Sequence, residues 1–362
     1  MLAYLEDVIG KSKNGLISYA DYMEIALYHP VHGYYMGETE KIGRSGDFIT
    51  TSNVSDIFGR VFSKWFARHV EMNGIVPAVC EIGGGNGRFA KAFMEEWTNH
   101  SNENLIYLII EASPYHRKLQ REALGGFPGF SQESGMHNVR HFKGLIFSNE
   151  LFDALPVHVV EKKSGALMEV MIGMDNGKLY EQLVPLKNGD IALFLEENGL
   201  ELNEGQRIEV PLAMGKMVSE ISRSLDEGIV ATVDYGYTAE EWMMPERKQG
   251  SLRGYMNHQM VHDVLANPGR MDITTHIHFD ALVKEGEKQG LESLAKLRQD
   301  EFLIAAGILA ELEEHYDPNP FSEKSRRNRA IRSLVLPSGM SAFFHVLIQE
   351  KGLRLGADRI FP

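Results

Sequence analysis

This 362-residue chain is poor in several things, and each shortage narrows what it can be. It has one cysteine, Cys80, inside an apolar stretch. No intrachain disulfide and no cysteine-based metal cluster can form, and the setting predicts a buried, inert thiol. Positive charge is also scarce: 37 Lys and Arg face 50 Asp and Glu, a formal charge of −13. That balance predicts no broad phosphate-binding face and no nucleic-acid partner. The one basic cluster, Lys324, Arg326, Arg327, Arg329 and Arg332, reads as a solvated helix face. No long apolar run is present, so no membrane insertion is expected. The N-terminal stretch MLAYLEDVIGKSKNG carries acidic residues and does not resemble a secretion signal, which predicts a soluble, cytoplasmic protein. His258, His262, His276 and His278 have no cysteine or carboxylate at ligand spacing, so no metal is expected. Repeats and low-complexity segments are missing.

What the chain does have is an ordinary apolar content (43%) and a clear change of pattern near residue 76. Before it, the sequence predicts helices with one glycine- and tyrosine-rich loop, HPVHGYYMGETEKIGRSGDFITTS. Ser18 with Asp21 forms a capping-box pattern that starts one helix, expected to end near His29-Pro30. Val54, Ile57, Phe58, Val61, Phe62, Trp65, Phe66 and Val70 share one face of another, which Gly74 should stop. After it, strand, turn and helix alternate. Val79–Ile82, Leu105–Ile110, Leu145–Phe147, Gly228–Val233 and Ser341–Gln349 read as strands; Ser113–Leu124, Ala213–Leu225 and Phe279–Gln289 read as helices. Val157–Leu186 alternates around turns at Ser164-Gly165 and Asn176-Gly177, the pattern of an antiparallel ribbon. The fold expected is α/β, a doubly wound Rossmann-like sheet with ligands at the carboxyl ends of its strands. Residues 1–75 would form a helical N-terminal cap. Residues 76–362 would form the main domain, with β-rich or irregular insertions near 157–210 and 238–275.

The most telling run is Glu81-Ile82-Gly83-Gly84-Gly85-Asn86-Gly87, between the first strand and its helix. Glycine lets the chain turn sharply and bring backbone amides against a ligand. The dinucleotide spacing G-x-G-x-x-G fails in either register: its third glycine falls on Arg88, or its second on Asn86. The run instead fits E/D-x-G-x-G-x-G, the turn of S-adenosylmethionine-dependent enzymes, and so resembles the class I methyltransferases. Glu111 closes the second strand, where a carboxylate can accept both ribose hydroxyls. Glu81, Gly83, Gly85, Gly87 and Glu111 are therefore candidates for holding the cofactor.

Further segments make the resemblance more specific. HPVHGYY (29–35), GDFITTS (46–52), EIGGGNG (81–87), EASP (111–114), SNELFDALPVH (148–158), VDYG (233–236) and SLRGYMNH (251–258), in this order, resemble the MidA-like methyltransferase family. Its mitochondrial members help to assemble respiratory complex I and dimethylate an arginine of one subunit. The resemblance implies S-adenosylmethionine as cofactor, a protein substrate such as a respiratory-complex subunit, and ω-N methylation of arginine. It also places Gly46 and Asp47 beside the cofactor, and the NELFDALP segment beside the reacting atoms. Two departures stand out. Relatives often carry proline where this chain has Gly84, and TSPEIS where it has Thr51-Ser52-Asn53-Val54-Ser55, which removes a glutamate at Val54.

For an arginine substrate, carboxylates at the end of the fourth strand are well suited to grip the guanidinium in a bidentate fork. Glu150 and Asp153 are the candidates for that grip, and Asn149 for orienting the nucleophile. Tyr34, Tyr35, Arg253, Tyr255 and His258 are candidates for the walls, and Asp234 and Tyr235 for support. Two other functions fit the same motifs: a weakly catalytic or non-catalytic assembly factor that retains the cofactor, and a methyltransferase acting on a small molecule.

Overall fold

The computed structural model describes residues 1–38, 56–312, 317–319, 321–336 and 343–361. Gly46, Asp47 and the TTSNVS stretch lie outside the described residues. Helices α1 (Leu2–Lys11) and α2 (Tyr19–Tyr28) flank strand β1 (Ile17–Ser18). The capping box forms: the Ser18 hydroxyl accepts from the Asp21 amide, and the Asp21 carboxylate accepts from the Ser18 amide. Helix α3 (Ile57–Asn73) stops at Gly74, which takes a left-handed φ of 66°.

The first half of the central sheet follows as β2 (Ala78–Ile82), α4 (Arg88–His100), β3 (Ile106–Ile110), α5 (Pro114–Leu124), β4 (Phe130–Glu133) and β5 (Phe142–Asn149). The chain then leaves the sheet for β6 (His158–Lys163), β7 (Ala166–Asp175), β8 (Lys178–Pro185), α6 (Gly189–Glu197) and β9 (Arg207–Val210). Ser164-Gly165 and Asn176-Gly177, all at positive φ, make the two tight turns of this ribbon. Helix α7 (Leu212–Ser224) and β10 (Leu225–Tyr237) return to the sheet. A second excursion carries α8 (Ala239–Trp242) and a small antiparallel sheet of β11 (Arg253–Met256), β12 (Gln259–Val261) and β13 (Asp272–Thr274). The chain closes with β14 (Ile277–His278), α9 (Phe279–Lys288), β15 (Glu292–Arg298), α10 (Gln299–Ala305), α11 (Glu323–Val335) and β16 (Phe344–Lys351).

The central sheet runs β4-β3-β2-β5-β10-β16-β15, with β14 pairing the end of β10. The first five strands of that order are parallel, and β16 is antiparallel to both its neighbours. Connection order reverses between β2 and β5, which opens a crevice at their carboxyl ends. Register aligns those ends: Ile82 lies beside Ile110 and Ser148, and Asn149 beside Val233. On one face α3 and α4 build an aromatic core in which Phe89 stacks on Phe147 at 4.2 Å and Phe62 on Phe302 at 4.9 Å. On the other, α7 and α9 cover Cys80, Ile146, Val230 and Leu347.

The structure corrects the division at residue 75. Phe58, Phe62 and Trp65 of α3 are fully buried in the sheet's own core, so α3 belongs to the main domain. Leu5, Tyr22 and Leu27 instead share a separate core with Val159, Ile172 and Ile273 of the two excursions. The segment 1–38 and the excursions thus form one lobe over the crevice. The basic cluster lies on α11, where Arg327 pairs with Glu311.

Candidate active site

The turn after β2 is built around backbone conformations that favour glycine. Gly83, Gly85 and Gly87 have φ of 75°, 51° and 79°. The Gly83 amide donates to the Ile110 carbonyl at 2.8 Å and the Gly85 amide to the Glu111 carboxylate at 3.1 Å. Gln120 of α5 donates to the Gly85 carbonyl at 2.7 Å. Gly84, which the spacing motif leaves unspecified, is sterically constrained: a Cβ there would sit 2.7 Å from Ile109 Cγ2. Any residue with a Cβ, proline included, would crowd the γ-methyl of Ile109 here. Gly87 lies off the cavity wall and caps α4 in a left-handed conformation, packed on Gln120 and Leu124.

Glu111 is buried to 8% exposure, and its carboxylate is set by two amides, from Gly85 and, at 2.8 Å, from Ser113. Glu81 sits behind the turn and accepts the Tyr107 hydroxyl at 2.9 Å. Burial pushes Glu81 up to about 8, against the Tyr107 bond and with the help of the Glu111 charge. Folding therefore tightens proton binding at Glu81, and the stability this confers is lost as pH rises from the ordinary glutamate range through about 8. The neutral variant Glu81→Gln should gain thermal stability relative to wild type as pH rises from 5 to 8. Unfolding scans of both proteins without cofactor check this, and a difference independent of pH would refute it.

A cavity of about 510 Å³ opens at the crevice. Its walls include Glu81, Gly83, Gly85 and Glu111 on the β2–β3 side and Asn149, Glu150 and Asp153 on the β5 side. Ile110, Ala112 and Met136 add an apolar surface beside Glu111. The lobe above supplies Tyr28, Tyr35, Tyr255, Asp272 and Thr274. Six carboxylates line it (Glu81, Glu111, Glu150, Asp153, Glu220, Asp272), and no Lys or Arg does among the described residues.

The loop after β5 is held from below. Asp234, with no exposed surface, accepts from the amides of Phe152 at 3.0 Å, Asp153 at 3.3 Å and Tyr235 at 2.9 Å. Asp153 is 3% exposed; its Oδ2 accepts the Tyr235 hydroxyl, and its Oδ1 makes no well-formed hydrogen bond among the described residues, although the Ala154 and Asp153 amides lie near enough to favour the charged carboxylate. Asn149 Oδ1 is a second buried acceptor without one. Burial pushes Asp153 up to about 6, against the Tyr235 bond and the amides of Ala154 and Asp153. Glu150 has a φ of 50°, unfavourable for a residue with a Cβ, and its amide donates to the Val233 carbonyl at 2.9 Å. Glycine relieves that cost whereas alanine does not. Glu150→Gly should therefore exceed Glu150→Ala in stability by about 1 kcal/mol, with methyl transfer impaired in both. Chemical unfolding measures the difference, and equal stabilities would refute the strain.

Sequence reasoning brought most of this wall into view and missed part of it. Tyr35 lines the cavity, donating to Asp272 at 2.5 Å, while Tyr34 is packed in the lobe core. Tyr255 lines it, whereas Arg253 and His258 do not. His276 stacks on Tyr237 and His278 on Trp242. Asp272 and Tyr28 on the wall were missed, as was Gln120, which stands behind it on the Gly85 carbonyl. Gln120 carried a signal: it is a fully buried polar residue on the same helix face as His116 and Leu124.

The arrangement suits S-adenosylmethionine. Left-handed glycines expose backbone beside the cavity, and a buried, pre-set carboxylate stands where a ribose diol needs acceptors. Residues 61–296, more than half of the chain, match the family described as "Putative S-adenosyl-L-methionine-dependent methyltransferase". The chain belongs to this family. A superfamily member from Burkholderia thailandensis, crystallised bound to S-adenosyl-homocysteine, superposes with a TM-score of 0.90 at 28% identity, over 99% of this chain and 93% of that one. Among curated proteins, the mitochondrial protein arginine methyltransferase NDUFAF7 of Danio rerio is 26% identical over 92% of this chain and 84% of its own length. The human protein of that name is 26% identical over 95% and 82%. This methyltransferase thus uses S-adenosylmethionine on a class I, Rossmann-like α/β sheet. No helix among the described residues is long and apolar enough to cross a membrane.

Proposed function

We propose that this methyltransferase modifies an arginine side chain of a protein partner on a terminal guanidinium nitrogen. The observation that carries the reading is the acidic stretch of cavity wall formed by Glu150 and Asp153 beside Asn149, where Asp153 Oδ1 and Asn149 Oδ1 make no well-formed hydrogen bond among the described residues. Buried acceptors without partners are costly, and a guanidinium offers N–H donors in a fixed fork and accepts nothing. The acidic lining, with no Lys or Arg among the described residues, favours the same charge. The names of the NDUFAF7 relatives agree with it.

When bound, the cofactor supplies an electrophilic methyl group on a sulfonium sulfur. Gly83, Gly85 and Glu111 are the residues that would hold it, with Gly46 and Asp47 retained as candidates from the family resemblance. Asp153 and Glu150 grip the guanidinium, and Asn149 turns one nitrogen toward the methyl carbon. That nitrogen gains a methyl and gives up one proton, for which the Asp153 and Glu150 carboxylates are the acceptors at hand. Tyr28, Tyr35 and Tyr255 exclude water. The partner we propose is a folded protein that presents an arginine-bearing segment, with a respiratory-complex subunit as the case the resemblance suggests.

Incubation of native lysate with methyl-labelled cofactor, followed by peptide mass spectrometry, tests the reading. Labelled methylarginine in a small set of proteins supports it. Label confined to small molecules or to other residue types overturns it.

A further inference from the structure

Tyr235 has a place in this site that its position in the chain does not announce. It stands next to Asp234 at the carboxyl end of β10, and both residues act on Asp153: Asp234 takes its backbone amide, and Tyr235 takes its side chain. The Tyr235 hydroxyl donates to Asp153 Oδ2 at 2.5 Å. The Thr274 side chain of β13 lies beside the same hydroxyl and favours its ionised form, against the burial that raises it. The ring cannot easily turn away, because His276 and Phe344 stand edge-on against it at 5.0 Å and 5.2 Å.

We propose that Tyr235 is a positioning residue: by engaging Oδ2 it fixes the Asp153 carboxylate in its ionised form and reserves Oδ1 for one N–H of the incoming guanidinium. The proposal rests on the arginine reading above. A carboxylate free to rotate would offer either oxygen and lose part of the alignment. A hydroxyl donor also favours the charged form, in a wall where burial opposes it.

Several titratable groups surround Asp153. Tyr28 of α2, Tyr35 of the N-terminal segment, Asp234 of β10 and Tyr255 of β11 are all held above their ordinary values by burial. The Asp153 charge raises Asp234 further, so a midpoint read here belongs to the Asp153–Asp234 pair. His276, which faces Tyr235, is pushed down by burial to about 4. Glu81, Glu111, Glu150, Glu220 and Asp272 stand on the same cavity wall.

Binding of Nα-acetyl-arginine amide, followed by NMR across pH 5–9 with saturating S-adenosylhomocysteine, tests the proposal. Wild type should bind with a midpoint near the Asp153 value of about 6. Tyr235→Phe should move that midpoint up by about one pH unit and weaken binding at pH 8 by roughly tenfold. S-adenosylhomocysteine affinity should stay unchanged and reports an intact fold. Thr274→Val should shift the midpoint the same way by less, and it carries the test should Tyr235→Phe not fold. If Asp153→Asn loses the probe while both variants keep the wild-type midpoint and affinity, Tyr235 is packing only and the proposal fails. If wild type does not bind the probe, or Asp153→Asn binds it equally well, the arginine reading itself fails.

Discussion

Asp153→Asn is expected to lower methyl transfer by a factor of roughly 30 to 1,000 while leaving S-adenosylhomocysteine affinity nearly unchanged. The factor corresponds to about 2–4 kcal/mol, the usual cost of removing one partner from a buried, hydrogen-bonded charge pair. Asparagine keeps the shape of the side chain and can still accept the Tyr235 hydroxyl, so the loss reports charge rather than packing. The same residue sets a pH dependence. Because burial raises Asp153 to about 6, the wild-type rate should fall as pH drops through that value. The residual rate of Asp153→Asn should show no such limb. Stability should move the opposite way. A carboxyl held above its ordinary value contributes stability at low pH that is lost as pH rises through about 6. The neutral amide escapes that loss, so the variant should unfold at a higher temperature than wild type at pH 8. Initial rates and unfolding scans over pH 5–8.5 check both halves. A variant that is less stable at pH 8 and only slightly slower would refute them.

The second large effect is expected at the other end of the cavity. Glu111→Gln should weaken both S-adenosylmethionine and S-adenosylhomocysteine by about 10- to 100-fold, because hydrogen bonds to a charged group contribute about 1.5–3 kcal/mol. The wild-type carboxylate accepts from Gly85 and Ser113 and presents only acceptors to a ribose diol. Glutamine has one acceptor and one donor, so its amide nitrogen must face either a backbone N–H or a ribose hydroxyl that needs an acceptor. Arg117 bonds the carbonyl oxygens of Glu111 and Ala112, not the Glu111 side chain, so the backbone there should stay in place. Calorimetry with each ligand measures the loss. Unchanged affinity would mean that the sugar is held elsewhere.

What could be seen in the sequence was what is local or periodic. The Ser18–Asp21 cap, the apolar stripe of α3 and the turn from Glu81 to Gly87 are each written within a few residues, and each takes the expected conformation. The carboxyl loop Asn149–Asp153 was legible because it follows a buried strand in a sheet whose order predicts where ligands sit. The far wall was not. Tyr35 and Asp272 are 237 positions apart, and they meet only because the N-terminal segment and the short strands β11–β13 fold into one lobe. Those strands are three or four residues long, too short for alternation to register, and the stretch that holds them read as irregular. The same limit explains the misplaced boundary. The stripe on α3 announces burial but not the partner, and the partner is the sheet rather than the N-terminal helices. Gly84 is a third case, since its constraint comes from the γ-methyl of Ile109 on a neighbouring strand.

A crystal structure with S-adenosylhomocysteine and an arginine-bearing peptide is the most direct test. The ribose should lie on Glu111, the amino-acid portion against Gly83–Gly85, and a guanidinium nitrogen on Asp153 Oδ1, directed at the sulfur. A nucleoside turned away from Glu111, or a peptide whose arginine lies outside the Asn149–Asp153 wall, would contradict it.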